Sequence, residues 1–322
     1  MIYPVNVRDG QDFDVYMAHL DVVFPDMGEL PLEEKDGRIY CPGVGDDTAC
    51  VVCLLMAAKY IAALIKSGSC DAFAGNHDAG LMLVWNTGEE GLGNLKGTKE
   101  IIRKYGGRIR NFCTFDSQMD NIVTGAVGSI RYEVEIHTEG GHSYSKFGND
   151  NAIEKMAELI TRLYRISLPA VGKTTYNVGE ISGGTSINTI AQSARMLYEY
   201  RSDRKENLDY MTEQFQSILA ECRESGLDIT CKEIGNRPCG GEDDSQKNKE
   251  LIKRAVKAVE NAAGIIPAEN SGSTDCNIPL SLGIPAVCVG CYEGAGAHTR
   301  EEFVEISSVK TGVRIVLEMI LL

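Results

Sequence analysis

Residues 81–87 read LMLVWNT, a run of apolar side chains that ends in a polar turn. Runs of the same character occur at residues 14–23 (DVYMAHLDVV), 111–115 (NFCTF) and 285–289 (PAVCV). Apolar residues in continuous rather than alternating order are typical of strands that are covered on both faces. Helical stretches separate these runs at residues 48–66, 94–105 and 247–263. This alternation of strands and helices predicts an α/β fold with a mainly parallel sheet wrapped by helices.

The middle of the chain follows a different pattern. Apolar and charged residues alternate through 130–137 (IRYEVEIH), which predicts a strand with one face in solvent. The segments that follow are a helix, two strands, a helix and a strand, at residues 151–165, 174–181, 194–201, 206–225 and 227–234. Their order predicts an α+β domain of the split βαβ, ferredoxin-like type. We therefore predict one domain from residues 1–128 and 236–322, with a second domain inserted at 129–235.

The composition excludes several classes of protein. The chain has 322 residues, of which 43% are apolar and 24% charged, with a formal net charge of −14. This length suits two domains or one large α/β domain. A protein that binds nucleic acid or an anionic membrane normally presents a basic face, so we expect neither partner. Periodic apolar segments run nearly end to end and exclude fibrous and disordered classes.

The cysteines predict a reducing, cytoplasmic environment. Eleven are present, an odd number, and we expect no secretory leader. Two Cys-x-x-Cys pairs, Cys50/Cys53 and Cys288/Cys291, lie inside apolar runs, so we expect small buried residues rather than zinc ligands. Residues 48–65 are apolar almost all round and barely long enough to cross a bilayer, and a buried core helix is the better interpretation.

Polar, chemically active side chains follow each of the apolar strands. Parallel strands present their carboxyl ends at one edge of the sheet, where ligands bind, so we expect these side chains to share one cleft. Asp46 joins them because the Asp46-Asp47 pair stands at the start of the buried helix. The candidates are His19, Asp46, Glu90, Asp116 and His298.

This concentration of charge points to metal ions. Like charges at short range cannot all ionise without a cation, and imidazole with carboxylate suits zinc, with manganese or cobalt as substitutes. Taken singly, His19 could be a satisfied polar residue, Asp46 or Asp47 a helix N-cap, and Glu89-Glu90 a solvated turn. Their common position favours metal ligation, with one shared carboxylate bridging two ions. The other histidines considered, His77 and His137, are expected at the surface.

Two short motifs suggest supporting roles. In His19-x-Asp21 the two side chains would share a strand face, so Asp21 could accept the ring N–H of His19 while the other nitrogen meets metal. In Glu89-Glu90 the neighbouring carboxylates diverge. One can ligate a metal while the other acts as general base toward water.

The motifs together resemble the zinc aminopeptidase/aminoacylase superfamily. This group includes peptidase T, carboxypeptidase G, aminoacylase and the acetylornithine and succinyl-diaminopimelate deacylases. The resemblance extends from about Val15 to the C-terminus. It rests on the blocks HLDVVFPD, GRIYCPGVGDDTA, NTGEEGLGN, FDS, GGHSYSKFGNDNAI, ISGGTSINTIA, STDCNIP and AHTREEF.

The resemblance implies a metal-binding role for five residues. His19 and Asp116 resemble the ligands of one zinc ion, and Glu90 and His298 those of a second. Asp46 resembles the carboxylate that bridges the two ions. The expected cofactor is therefore a pair of divalent ions, zinc first, with cobalt or manganese possible.

The resemblance also implies roles around the metals. Glu89 resembles the general base, and Asp21 the residue that supports the first metal-binding histidine. The inserted domain resembles the family's lid and dimerisation domain, which implies a homodimer. In it, His142 resembles a histidine that reaches the partner's active site and stabilises the oxyanion. Asn188 and Arg201 resemble the residues that hold the substrate carboxylate; a turn residue, a strand-end cap and a surface salt bridge are the alternatives for these three.

The start of the sequence departs from the family pattern. Family members carry several dozen residues before the His-x-Asp strand, forming an opening helix and strand, whereas 18 residues precede His19. Either the start is truncated or misassigned, or the sheet lacks these opening elements. In a second departure, Thr48 stands where several relatives have Lys after the Asp pair.

The expected function is hydrolysis of an amide bond in a small peptide or an N-acyl amino acid, with the tripeptidase-like branch slightly favoured. One alternative is a biosynthetic N-acyl amino acid deacylase. An alternative from another class is a non-catalytic scaffold with the same fold. The sequence contains no Gly-x-Ser-x-Gly element of a serine hydrolase.

Overall fold

A computed structural model describes residues 1–5, 7–25, 28–68, 79–242 and 245–321. They form two units, of which unit 1 comprises Met1–Ala126 with Gly240–Leu322 and unit 2 comprises Val127–Cys239. The sequence pattern places the insertion at residues 129–235, and the strands that bound unit 2 continue slightly beyond both ends. His77 lies outside the described residues.

The first part of unit 1 contains seven strands and two α-helices in the described residues. In chain order these are β1 (Ile2–Val5), β2 (Phe13–His19), β3 (Glu33–Lys35), β4 (Arg38–Tyr40), α1 (Cys50–Lys66), β5 (Gly80–Asn86), α2 (Lys96–Tyr105), β6 (Ile109–Phe115) and β7 (Asn121–Ala126). Short turns precede the helices: a π-type turn at Val44–Ala49 leads into α1, and a 3₁₀ turn at Gly91–Gly93 precedes α2.

Unit 2 follows in the order β-α-β-β-α-β once two very short strands are set aside. Its elements are β8 (Gly128–His137), β9 (Gly141–His142), α3 (Ala152–Leu163), β10 (Thr174–Gly183), β11 (Thr189–Ile190), β12 (Ser193–Ser202), α4 (Lys205–Glu224) and β13 (Asp228–Arg237). The chain then returns to unit 1 with β14 (Gly241–Glu242), α5 (Gln246–Ala263), β15 (Ala268–Gly272), α6 (Asn277–Ser281), β16 (Ala286–Val289), β17 (Gly294–Ala295), β18 (Phe303–Glu305) and α7 (Ile306–Leu321).

Unit 1 is built on an eight-stranded sheet. Its order is β1-β5-β2-β6-β16-β7-β14, with β15 beside β7. The central neighbours β5, β2, β6 and β16 pair in parallel, whereas β1 and β14 join the sheet antiparallel. Every residue of β2 and of β5 is buried, as continuous apolar runs require. The predicted α/β fold with a mainly parallel sheet is confirmed.

Helix α1 is a core helix of unit 1. Residues Val44–Lys66 are long and apolar enough to span a membrane by length and composition alone. However, one face of α1, including Cys53, Leu54 and Ile61, is fully buried in the core formed with α5 and α7. The cysteines within the described residues are free thiols, and both Cys-x-x-Cys pairs are buried. Burial of a small apolar side chain accounts for these pairs.

Unit 2 is a four-stranded antiparallel sheet packed against two helices. The strand order is β10-β12-β8-β13, and α3 and α4 cover one face. Alternation along β8 places Tyr132, Val134 and Ile136 in the core, while Arg131, Glu133 and Glu135 line the other face. The inserted α+β fold expected from the alternating pattern is therefore present. His137, at the end of β8, is exposed.

Candidate metal centre

Five acidic and imidazole side chains converge at one edge of the unit 1 sheet. His19 is the last residue of β2, Glu90 follows β5, and Asp116 follows β6 directly. Because these three strands are parallel, their carboxyl ends meet. Asp46 comes from the turn before α1, and His298 comes from the loop between β17 and β18.

Asp46 stands between two pairs of side chains. Its Oδ1 lies 3.2 Å from Nε2 of His19, and its Oδ2 lies 3.0 Å from Nε2 of His298. On the first side, Oδ2 of Asp116 lies 4.0 Å from the same His19 nitrogen. On the second side, Oε1 of Glu90 lies 3.4 Å from the same His298 nitrogen. The structure thus brings all five predicted side chains together, with each carboxylate oxygen of Asp46 facing a different histidine.

The donor atoms fit a pair of metal ions. Each of two triads, His19–Asp46–Asp116 and Asp46–Glu90–His298, offers one imidazole nitrogen and two carboxylate oxygens within 4.8 Å of one another. Nitrogen and oxygen donors in this combination suit zinc. Within the described residues, buried Nε2 of His19 and Oε1 of Glu90 have no hydrogen-bond partner. A buried polar atom without a partner is unfavourable, and a bound cation would satisfy both atoms.

The carboxylates repel one another in the absence of a cation. Burial, followed by the charge of Asp46, raises the pKa of Asp116 to about 7. The same two causes, burial and Asp46, raise the pKa of Glu90. Burial acts to raise the pKa of Asp46 as well, but the neighbouring imidazoles of His19 and His298 outweigh it and lower that pKa. A divalent cation bound here would displace these protons and balance the negative charge of the carboxylates.

The neighbouring carboxylates also raise the pKa values of the two histidines. Burial alone would lower the pKa of His19, but Asp47 and Asp46 outweigh it and raise that pKa to about 12. A hydrogen bond with Asp46 raises the pKa of His298 to about 9. A metal ion must therefore displace protons to bind here, so its affinity depends on pH.

Main-chain contacts orient the His19 ring. Its Nδ1 lies 2.9 Å from the carbonyl oxygen of Asp21 and 3.7 Å from Oδ1 of the same residue. The sequence pattern assigns this contact to the Asp21 carboxylate, and the structure gives the hydrogen bond to the carbonyl. The reason is that β2 ends at His19, where its partner β5 ends at Asn86, so the two-residue strand period does not reach Asp21.

The Asp21 carboxylate holds the segment that carries both glutamates. Oδ1 accepts N–H bonds from Gly88 at 2.8 Å and Glu89 at 3.3 Å, and Oδ2 accepts one from Glu90 at 3.0 Å. The Glu89 side chain is buried. One of its carboxylate oxygens groups with donor atoms of His19 and Glu90, all within 4.8 Å of one another.

Asp47 supports the site without joining either triad. Its Oδ2 accepts the main-chain N–H of His19 at 2.9 Å, which fixes the end of β2. Burial, followed by the thiol of Cys50, raises the pKa of Asp47. Neither Asp46 nor Asp47 caps α1, because its N-cap residue is Ala49 and no side chain accepts a cap hydrogen bond there.

Comparisons with known proteins agree with this architecture. Residues 124–224 match the model of the peptidase dimerisation domain of the M20 family. Over 292 residues the chain is 25% identical to acetylornithine deacetylase of Myxococcus xanthus, covering 87% of the chain and 71% of that protein. A putative succinyl-diaminopimelate desuccinylase of Mycobacterium tuberculosis is 26% identical over 202 residues, which are 60% of the chain and 52% of that protein. The chain is therefore similar to the M20 peptidase family in unit 2 and to a deacylase over most of its length.

Solved structures share the fold of the chain. A tripeptidase from Staphylococcus aureus has a TM-score of 0.74 at 23% identity, covering 99% of the chain and 83% of that protein. An M20 family metallo-carboxypeptidase from Sulfolobus solfataricus has a TM-score of 0.73 at 16% identity, covering 100% and 87% respectively. The chain is a hydrolase of the peptidase or deacylase type, acting on peptide or amide bonds.

The predicted lid residues lie in unit 2. His142 is exposed on β9, and its Nδ1 accepts the N–H of Tyr144 at 3.2 Å. Pairing of β9 with β11 brings it beside exposed Asn188, whose carbonyl accepts the N–H of Ser143 at 3.0 Å. Arg201 lies on β12 and donates two hydrogen bonds to the Glu199 carboxylate, at 2.9 and 3.1 Å.

Two buried acids near the site went unassigned in the sequence. Asp275, from the STDCNIP block, accepts a hydrogen bond from Asn86 at 2.7 Å and another from Thr98, which ties the end of β5 to α2. Glu302, from the AHTREEF block, accepts three main-chain N–H groups in the turn that carries Asp46. Both acids lie in sequence blocks that resemble the family. Their position in these blocks was the sequence signal that could have marked them as functional.

Proposed function

We propose that the chain is a two-metal amidohydrolase that cleaves small peptides or N-acyl amino acids. The observation that carries the proposal is the position of Asp46, whose two oxygens lie 3.2 and 3.0 Å from the imidazoles of His19 and His298. A carboxylate shared between two nitrogen donors, each with a second carboxylate beside it, suits a bridged metal pair. We assign His19 and Asp116 to one zinc ion and Glu90 and His298 to the other, with cobalt or manganese as substitutes.

The protein's own residues supply the proton transfers. When bound, the metal ions supply Lewis acidity, which polarises the scissile carbonyl and lowers the pKa of the attacking water. Glu89 is the general base: its carboxylate takes the proton of the attacking water and delivers it to the leaving nitrogen. Its buried side chain beside His19 and Glu90 supports this role. The Asp21 carboxylate keeps Glu89 in place through the main chain.

Unit 2 supplies the substrate contacts in this proposal. His142 of the partner subunit stabilises the oxyanion, so the active form is a homodimer associated through unit 2, which the dimerisation-domain match supports. Asn188 and Arg201 hold the substrate carboxylate. A guanidinium has five N–H donors, and two of those of Arg201 bond Glu199. The remaining donors would let Arg201 bind the substrate carboxylate while it keeps its contact with Glu199. The free thiols are consistent with a cytoplasmic enzyme.

A second candidate is a biosynthetic deacylase. The specific observation in its favour is the sequence similarity to acetylornithine deacetylase, which extends over 87% of the chain. A Staphylococcus aureus tripeptidase shares the fold, so the same scaffold also serves the first candidate. Both candidates use the same metals and the same base, so they differ in substrate and not in mechanism.

A substrate panel tests the proposal. The purified protein, stripped with a chelator and reloaded with zinc, is assayed on dipeptides, tripeptides, N-acetyl amino acids and N-succinyl amino acids. Glu89→Gln is the matched control for contaminating activity. Hydrolysis of tripeptides by the reloaded wild-type protein, but not by Glu89→Gln, supports the peptidase assignment. Selective release of acetate or succinate supports the deacylase. If the reloaded wild-type protein and Glu89→Gln hydrolyse the panel equally, the proposed mechanism is wrong.

A further inference from the structure

Glu302 occupies an unusual position beside the candidate metal centre. It directly precedes β18 and lies four residues after His298. Its side chain is only 1% exposed. Oε2 accepts the N–H of Gly43 at 2.6 Å, and Oε1 accepts those of Gly45 and Asp46, both at 2.8 Å. One buried carboxylate therefore binds three main-chain groups of the turn that presents Asp46.

The turn is shaped to bring these N–H groups together. Gly43 has a φ of 79°, a left-handed conformation that favours glycine. A Cβ added to Gly45 would lie 2.7 Å from the ring of Tyr292, so the main chain packs directly against that side chain. Successive N–H groups that converge in this way form a concave site for an anion. In this protein the anion is the Glu302 side chain.

The same residue is anchored at its main chain. Its carbonyl accepts the N–H of Cys41 at 3.1 Å, just before the turn begins. The loop that holds His298 ends at Glu302, because β18 starts at Phe303. Glu302 therefore joins two segments, of which one supplies Asp46 and the other supplies His298. The two imidazole contacts of Asp46 require both segments to be in register.

We propose that Glu302 is a positioning residue that sets the orientation of Asp46 for metal binding. This inference rests on the proposed two-metal function, in which Asp46 is the shared ligand. Because a shared ligand serves both ions, loss of the Glu302 contacts lowers the affinity for both ions together. Loss of a residue that supports only one triad would lower the affinity for one ion.

Three variants test this role. Glu302→Gln keeps the size of the side chain but replaces one acceptor oxygen with an NH₂ group that faces main-chain N–H donors. Glu302→Asp keeps the charge on a shorter side chain. Glu301→Gln is the matched control, since Glu301 is the exposed neighbour. Thermal unfolding of each metal-free protein establishes that it folds.

The readout is binding of Co²⁺ to metal-free protein, followed by calorimetry and by the visible absorption of the bound ion. We expect Glu302→Gln to lower the affinity of both binding steps by about tenfold or more, the effect typical of residues that orient metal ligands, and to change the absorption spectrum. Glu302→Asp should recover part of the affinity, and Glu301→Gln should match the wild type.

The outcomes separate this inference from the proposed function. If the wild type binds two Co²⁺ ions and folded Glu302→Gln binds them with the same affinities and spectrum, the positioning role is wrong while the two-metal site stands. If Glu302→Gln does not fold, Glu302→Asp decides: reduced affinity at both steps supports the role, and wild-type affinity overturns it. If the wild type itself does not bind two ions, the proposed function fails first.

Discussion

Replacing Asp21 with Asn distinguishes two roles for this carboxylate. In the structure, the Asp21 carbonyl orients the His19 ring, and the carboxylate holds Gly88, Glu89 and Glu90. The variant therefore disturbs the segment that carries the proposed base and one ligand of the second triad. It should leave the hydrogen bond to the His19 ring intact.

The expected loss of metal affinity follows from the hydrogen bonds of the Asp21 carboxylate. Asn retains one carbonyl oxygen and places an NH₂ group where Oδ2 accepts the Glu90 N–H at 3.0 Å. A hydrogen bond to a charged group contributes about 1.5–3 kcal/mol. The Asp21 side chain is 25% exposed, so water replaces part of the loss, and we take about 2 kcal/mol. At 1.4 kcal/mol per factor of ten, the affinity of the second ion should fall by up to about 30-fold.

Single-triad backgrounds make the effect measurable. Glu90→Gln leaves the triad of His19, Asp46 and Asp116, and Asp116→Asn leaves the triad that contains Glu90. Asp21→Asn is added to each background, and Co²⁺ affinity is measured by calorimetry. We expect a loss only in the triad that contains Glu90. Asp120→Asn, at an exposed acid of the same unit, is the control.

A loss confined to the triad that contains His19 would refute this reasoning. It would mean that the Asp21 carboxylate clamps the imidazole, as the sequence pattern suggested.

Three further predictions concern the same site. Glu89→Gln should lower kcat by about 10²–10⁴-fold, the contribution of a general base, while elemental analysis still finds both ions. In a Co²⁺ titration, Asp46→Asn should lower the affinity for both ions, because Asp46 faces both histidines. Glu90→Gln should lower the affinity for only one ion. Without metal, the raised pKa of His298, about 9 against an ordinary 6.5, stabilises the fold fully below pH 6.5 and loses that effect as the pH rises to about 9. The unfolding temperature of chelated protein should therefore fall across this window, and less so for His298→Gln.

Each of these predictions has a contrary result. Near-wild-type turnover by Glu89→Gln would remove it as the base. Retention of one tight ion by Asp46→Asn would show that this carboxylate is not shared. An unfolding temperature that rises between pH 6.5 and 9, or that falls equally in His298→Gln, would contradict the charge interactions of His298.

The sequence predicts the edge of the sheet where these side chains meet. Continuous apolar runs identified β2, β5, β6 and β16, and parallel pairing brings the polar residues at their ends together. Helix positions were also close, since residues 247–263 were expected and α5 spans Gln246–Ala263. The metal and lid assignments of these side chains stay predictions.

Other features could not be obtained from periodicity. The sheet β17-β18-β4-β3 consists of strands of two or three residues, too short to show alternation. The Glu302 contacts join residues about 256 positions apart, a distance in sequence at which local pattern carries no information. The direction of the Asp21 carboxylate depends on where β2 ends, which is opposite the end of its neighbour β5.

The most direct test of the two-metal proposal is a metal count on purified protein, paired with activity. Elemental analysis should find two divalent ions per chain, and a chelator should abolish amide hydrolysis, which zinc or cobalt should restore. Full activity in protein that holds no divalent ion would contradict the account.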